Sequence, residues 1–315
     1  MALKAYSFSE SEQLSAAIHD SFILEKEKLI ASEFVNTHRC EVVFRLCPLC
    51  DCTDIEDFAV IEKAQYFRCR YCWSLFVPVS EDIISKYRNY TLLNNFRASK
   101  KYQETAREKR SALWDDQLFW IEFRSARFLK PLVDLSVMEI GGRYEGFSEI
   151  IKSACASYST FTSIEEIRDA SDVILYFGVI MQEPKPKKVL SKILKHLRKD
   201  GLLFLSTRVS TGFDILTLKG NVGSIFPYDC STIPSIEALE TVLNESGFEV
   251  LEISTPGTLD MRYVAENSTK LDKNDLFTRY LIEKTDDNVK SEFQKILQKG
   301  LMSSHAQLVA RAIHE

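Results

Sequence analysis

VMEIGGRYEGF, residues 137–147, runs from an apolar strand into a paired-glycine turn and then into the start of a helix. Val137, Met138 and Ile140 form a short apolar run, and Gly141-Gly142 break it. A buried strand followed by glycines and a helix is how a parallel sheet begins a turn at its carboxyl edge. The same alternation continues downstream. Strands are predicted at 136–140, 172–177, 202–207 and 248–254, with a β segment near 159–164, and helices at 147–155, 187–198 and 235–246. Strands alternating with helices of this length predict a doubly wound α/β sheet. Lys199-Asp200-Gly201 and Ser246-Gly247 read as helix-ending turns before a strand. Past Pro256-Gly257 the alternation breaks into a helical insertion spanning 258–302, and Ala306 to Ile313 reads as a final strand. The α/β domain is therefore placed at 132–315.

Upstream, residues 81–131 read as a linker of two or three helices. Its last helix, Leu113 to Leu129, carries Trp114, Phe119, Trp120, Phe123 and Phe128 and stops before Pro131. That aromatic density predicts burial against the following domain, with a substrate-lining role for Trp120 or Arg124 as the second reading. Residues 1–39 carry an amphipathic helix over 9–33, on Leu14, Ala17, Ile18, Phe22 and Leu29, capped by Ser9 or Ser11.

Between these lies a segment of another kind, 40–80. Cys47-Pro-Leu-Cys50 and Cys69-Arg-Tyr-Cys72 form two C-x-x-C knuckles, 18 residues apart. Each knuckle curls the backbone so that two thiolates face one point, and two knuckles make a tetrahedron of sulfur, the geometry zinc favours. With Phe58 to Val60 and Tyr66 to Phe67 as strands, the layout is a zinc ribbon. Four protein ligands leave no place for water, so the metal is expected to be structural. Cys52 is a weaker candidate, since it lies in C-x-C spacing from Cys50.

Composition narrows the classes. The chain has 315 residues, 45% hydrophobic and 27% charged, with a net charge of −5. An acidic balance argues against general binding to nucleic acid or anionic membranes, and the ribbon loop DCTDIEDFAVIE is itself acidic. The basic residues from Lys100 to Arg110 are interleaved with Glu104 and Glu108 and read as a solvated helix face. The polar start, MALKAYSFSESEQ, suggests no export leader, no apolar run reaches spanning length, and the expected compartment is the cytoplasm. There, eight cysteines are expected as thiols or metal ligands.

Four stretches together resemble the class I S-adenosylmethionine-dependent methyltransferases, closest to a bacterial group with an N-terminal zinc ribbon that acts on sugars or secondary metabolites. They are the ribbon cysteines; Glu139-Ile140-Gly141-Gly142 with Gly146-Phe147; SDVILYFGVIMQEPKP; and LRKDGLLFLSTR, with SGFEVLEISTPGTLD and SSHAQLVAR behind it. The resemblance implies the class I methyltransferase fold and S-adenosylmethionine as cofactor. It implies that Glu139, Gly141, Gly142 and Gly146 surround the methionyl part, that Glu165 or Glu166 holds the ribose, and that Asp172, Tyr176 and Phe177 lie beside the cofactor. It further implies a small-molecule acceptor, a sugar or carrier-bound intermediate, between insertion and sheet, with Tyr228, Asp229 and Cys230 on the substrate side and Asp229 as base. His305 falls in the matching terminal stretch as a catalytic candidate; its other reading is a structural histidine.

The sequence also departs from the family's pattern. Arg143 and Glu145 stand where the family has glycines, Met181-Gln182 where it has Glu-His, and the stretch from Glu166 to Asp172 is too short for a full helix and strand, which predicts a sheet shortened at one edge. The alternative is thus a methyltransferase-like protein without catalysis, a scaffold or partner subunit in a biosynthetic complex.

Overall fold

The computed structural model describes residues 3–4, 21–38, 46–141 and 145–314, with backbone alone at 3–4, 21–22, 24, 106–113, 145 and 146. Gly142, Arg143 and Tyr144 lie outside the described residues, as do Cys40 and the first half of the predicted 9–33 helix.

The centre is one sheet. Its strands are β1 (Leu3–Lys4), β5 (Ser136–Ile140), β6 (Ser157–Phe161), β7 (Ser171–Phe177), β8 (Leu197–Arg208), β10 (Phe248–Ser254) and β11 (His305–Ala312), in the order β1-β10-β11-β8-β7-β5-β6. Strands β5, β6, β7 and β8 run parallel, whereas β11 is antiparallel to both neighbours. The predicted doubly wound α/β sheet is present, and so is the short edge. The chain passes from β6 to β7 through one helical turn at Ile164–Glu166, leaving β6 as the border strand. At the other border Leu3–Lys4 adds a parallel pairing to β10 that the sequence reading did not anticipate.

Alternation along the strands sorts side chains to two faces. Val137, Val173, Leu175, Leu202, Phe204 and Val309 pack on one face against Trp114, Trp120, Phe147 and Ile151. The first two belong to α4 (Lys100–Phe128), the others to α5 (Glu145–Ala154). Met138, Ile140, Ile174, Tyr176, Leu203 and Leu205 pack on the other face with α6 (Pro186–Lys195) and α8 (Ile236–Glu245). The aromatic helix, the end of a 29-residue helix, is buried through Trp114 and Trp120 with Phe128 packed beside them, whereas Phe119 and Phe123 are exposed, so the expected burial holds for one side of it only. Helix α6 stops at Lys195, and Lys199-Asp200-Gly201 lies inside β8. That tripeptide makes an irregularity opposite Ser171–Val173, with Asp200 at φ 61°, so the sequence signal for a turn is spent on a bulge.

The ribbon strands β2 (Ile55–Ile61), β3 (Ala64–Cys69) and β4 (Leu75–Phe76) form a second sheet, completed by β9 (Thr232–Ile233) from the α/β domain. The 40–80 segment therefore does not close on itself. Helices α1 (Ser21–Thr37), α2 (Glu81–Arg88) and α3 (Thr91–Ala98) pack beside it. The 258–302 stretch carries α9 (Asp260–Glu266), α10 (Leu276–Lys284) and α11 (Asp287–Lys299), with α7 (Phe213–Leu218) ahead of it. Among the described residues no helix is long and apolar enough to cross a membrane.

A strand-end cavity and a four-thiol cluster

Gly141 ends β5 at φ +77°, a conformation that L side chains rarely adopt. A Cβ there would lie 2.6 Å from Val179 Cγ2, and the Gly141 N–H donates to the Phe161 carbonyl at 2.7 Å. The turn is therefore pinned between the ends of β5, β6 and β7. Beside it opens a cavity of about 880 Å³. Ile140, Gly141, Thr162, Glu165, Tyr176 and Val179 form its floor at the carboxyl ends of the strands. Residues of α2, α3 and the start of α4 form a helical wall, among them Arg88, Asn94, Arg97 and Tyr102, and α6 supplies Lys188 and Lys192. Open α/β sheets bind ligands at this edge, and the size suits a cofactor with a small acceptor.

Tyr176 is the informative floor residue. Burial pushes its phenol well above the ordinary tyrosine range, and its hydroxyl has no hydrogen-bond partner. A buried hydroxyl left unpaired costs free energy unless a ligand or water meets it. The orphaned atom lies on a residue lining the cavity.

Glu165 also lines the cavity, but its carboxylate is tied to Lys192, which holds it below the usual carboxylate range. Its neighbour Glu166 is turned back to the backbone N–H and hydroxyl of Thr162. Glu81 is likewise depressed, by Lys185 and then Lys188, and Glu183 receives Arg88 at 2.8 Å. Each carboxylate lining the cavity is thus matched to a cation.

Other expected residues lie elsewhere. Asp172 is at the amino end of β7, where it accepts from the Ser136 N–H at 2.9 Å, the Ser136 hydroxyl at 2.7 Å and Arg198 at 2.7 Å. It caps the opposite edge of the sheet from the cavity, so its cofactor role is corrected. Phe177 and Glu139 share the parity of Val137 and Val173, and so belong to the α4–α5 face. Phe177 packs on Trp120 and Phe147. Burial raises the Glu139 carboxyl, and a hydrogen bond from Tyr158 opposes that rise. Gly142 lies outside the described residues, and Gly146 is described only as backbone of α5.

Tyr228 and Asp229 do not line the cavity either. Tyr228, at φ 72°, is buried among Phe34 and Tyr87. Asp229 receives Arg97 Nη2 at 2.6 Å and the Tyr87 hydroxyl at 3.4 Å, while Arg97 also donates to Glu27 at 3.0 Å. A carboxylate bound to a guanidinium is a poor base, so the proton-acceptor role expected of Asp229 is replaced by a structural one: it fixes Arg97 in the cavity wall. Cys230 is buried, and its carbonyl accepts from Tyr66 of the ribbon at 2.9 Å. Sequence reasoning missed Arg97, Tyr102 and Asn94, because they sit on linker helices whose pattern signalled only packing. Trp120 is buried on the α4–α5 face and Arg124 donates to Glu252 at 2.8 Å, which leaves both as packing residues.

His305 starts β11 opposite Arg208, partly buried, with both ring nitrogens enclosed and neither hydrogen-bonded. Burial first, and Arg208 second, lower its pKa from 6.5 to about 4. It does not line the cavity, which favours the structural reading. The unfolded chain takes up this proton near pH 6.5 and the folded chain only near 4, so stability is complete above 6.5 and declines as pH falls towards 4. The full difference is on the order of 3 kcal/mol. His305→Leu is therefore expected to flatten the fall in melting temperature between pH 7.5 and 4.5, measured by calorimetry. An unchanged pH profile would contradict the assignment.

The four ribbon thiols come together. Cys47, Cys50, Cys69 and Cys72 place their sulfurs within 4.8 Å of one another, with Cys47–Cys72 at 3.5 Å and Cys50–Cys69 at 3.6 Å. A tetrahedral zinc–thiolate site has sulfurs roughly 3.8 Å apart, from bonds near 2.3 Å, so the cluster fits that ion. Among the described residues it is the one such group, and Cys52 is not part of it.

Residues 114–253 match the family model for a methyltransferase domain. No curated protein sequence matches the chain. Among solved structures, coclaurine N-methyltransferase bound to N-methylheliamine and S-adenosylhomocysteine aligns at 13% identity over 62% of this chain and 72% of that one, with a TM-score of 0.36. The plantazolicin methyltransferase BamL, bound to a triazolic analogue and S-adenosylhomocysteine, aligns at 10% over 73% and 94%, with a TM-score of 0.40. A mycolic acid cyclopropane synthase, with S-adenosylhomocysteine, aligns at 14% over 63% and 85%, with a TM-score of 0.36. At these TM-scores the likenesses carry no argument about activity.

Proposed function

We propose that this chain transfers a methyl group from S-adenosylmethionine to a small polar molecule, in the cavity at the carboxyl ends of β5, β6 and β7. The observation that carries the reading is the cavity itself, set beside a left-handed glycine and lined by Tyr176, whose buried hydroxyl is unpaired, within a segment that matches a methyltransferase domain. Gly141, Tyr176 and the 162–165 turn would hold the cofactor. The sulfonium would supply the leaving group, and the protein's share is alignment and exclusion of water. The cysteine cluster would hold a structural zinc, and the chain would work in the cytoplasm.

A second reading, a methyltransferase-like partner subunit without catalysis, is favoured by one observation. Among the described residues, every carboxylate lining the cavity is ion-paired, which leaves no ready proton acceptor. Both readings keep the fold; they differ in whether the cavity is occupied. A ligand at about 100 times its dissociation constant stabilises by roughly 2.7 kcal/mol. Saturating S-adenosylhomocysteine is therefore expected to raise the melting temperature by several degrees. No shift, with the protein folded and zinc-loaded, would favour the partner-subunit reading.

A further inference from the structure

If the cofactor occupies the strand-end floor, the helical wall is left for the acceptor. One charged group in that wall differs from the rest. Arg88, Lys185 and Lys188 are solvated at the rim, whereas Arg97 is largely buried. Burial works against its charge, but Asp229 and Glu27 more than restore it, and its pKa is raised. Two carboxylates from distant parts of the chain thus fix one guanidinium: Glu27 from α1, and Asp229 three residues before the strand that completes the ribbon sheet.

Those contacts use Nε and Nη2. Nη1 has two N–H donors and no partner among the described residues, and it is not among the fully enclosed unpaired atoms. A desolvated, immobilised guanidinium with one free nitrogen in a cavity wall is a preorganised donor. Its charge is already balanced by two carboxylates, so an anion placed on Nη1 would meet both of them at close range. A neutral oxygen accepts the same N–H groups without that repulsion. Asn94 and Tyr102 in the same wall are uncharged and polar.

We infer that Arg97 is the acceptor-orienting residue, and that the group it grips is a neutral oxygen, not a carboxylate or phosphate. Glu27 and Asp229 act through Arg97 as positioning residues. This inference rests on the methyl-transfer reading for which side of the cavity holds the acceptor.

The test is a set of crystal soaks of the full, zinc-loaded chain grown with S-adenosylhomocysteine. Parallel crystals receive glycerol, acetate or inorganic phosphate. The expected result is a glycerol hydroxyl within hydrogen-bond distance of Arg97 Nη1, with acetate and phosphate absent from that atom. Acetate or phosphate bound at Nη1, or Nη1 on water alone in every soak, would overturn it. Failure of S-adenosylhomocysteine to occupy the strand ends sinks the methyl-transfer reading instead, and the occupant of Nη1 is still seen. Arg97→Met is expected to keep S-adenosylhomocysteine affinity in solution within about twofold and to lose the glycerol density at this wall in soaked crystals; a parallel tenfold loss of cofactor affinity would make Arg97 a structural residue. If Arg97→Met does not fold, the wild-type soaks decide.

Discussion

Replacing Cys69 and Cys72 together by serine is expected to remove zinc, from about one ion per chain to almost none, and to destabilise far more than the ribbon. Small zinc modules draw apparent folding free energies on the order of 10 kcal/mol from the metal. Here the loss would not stay local. Cys47, Cys69, Cys72 and Phe76 belong to the same apolar cluster as Ile236, Leu239 and Leu243 of α8. The ribbon's fourth strand, Thr232–Ile233, is paired to Leu75–Phe76. Just upstream, the Ser231 hydroxyl donates to the Met181 carbonyl at 3.2 Å, next to Gln182 in the cavity lining. A collapsed knuckle therefore pulls on both the α/β core and the cavity. Elemental analysis and thermal unfolding read the two effects. Zinc unchanged in the double variant would refute the ligand assignment. Zinc lost at an unchanged melting temperature would show that the ribbon stands apart from the domain.

Asp229→Ala is expected to cost about 3 kcal/mol of stability, because truncating one member of a buried ion pair leaves its partner undercompensated. Arg97 keeps Glu27 at 3.0 Å, which holds the loss below that of removing both carboxylates. The measurement is urea unfolding of Asp229→Ala beside Asp229→Asn. The asparagine variant retains an oxygen for Nη2 and should recover part of the loss. A general base gives another pattern: both variants would be as stable as the wild type and differ from it only in turnover.

The sheet could be read from the sequence because period and punctuation agree there. VMEIGG, SDVILYF and LLFLSTR are continuous apolar runs, and runs of that kind form strands covered on both faces. The thiol cluster was readable for a different reason: C-x-x-C spacing alone determines where two sulfurs point. The cavity was only half readable. Its floor follows the strands, and Tyr176 and Gly141 line it. Asp172 and Phe177 were misplaced because being on the right strand does not fix the end or the face: one residue along a strand flips the face, and Asp172 sits at the far end of β7 from the cavity. The helical wall was unreadable, since Arg97 acquires its role from Glu27 and Asp229, which lie 70 and 132 residues away. Asp229 looked like a base because a sequence does not show the guanidinium that occupies it.

The opening stretch remains decisive for the fold. Its Arg143 lies outside the described residues and Glu145 is described only as backbone, so a binding measurement speaks for them more directly than geometry. That measurement is calorimetric titration of the zinc-loaded chain with S-adenosylmethionine and S-adenosylhomocysteine. The account predicts one site per chain for both, at micromolar affinity. No heat from either ligand up to sub-millimolar concentration would contradict it.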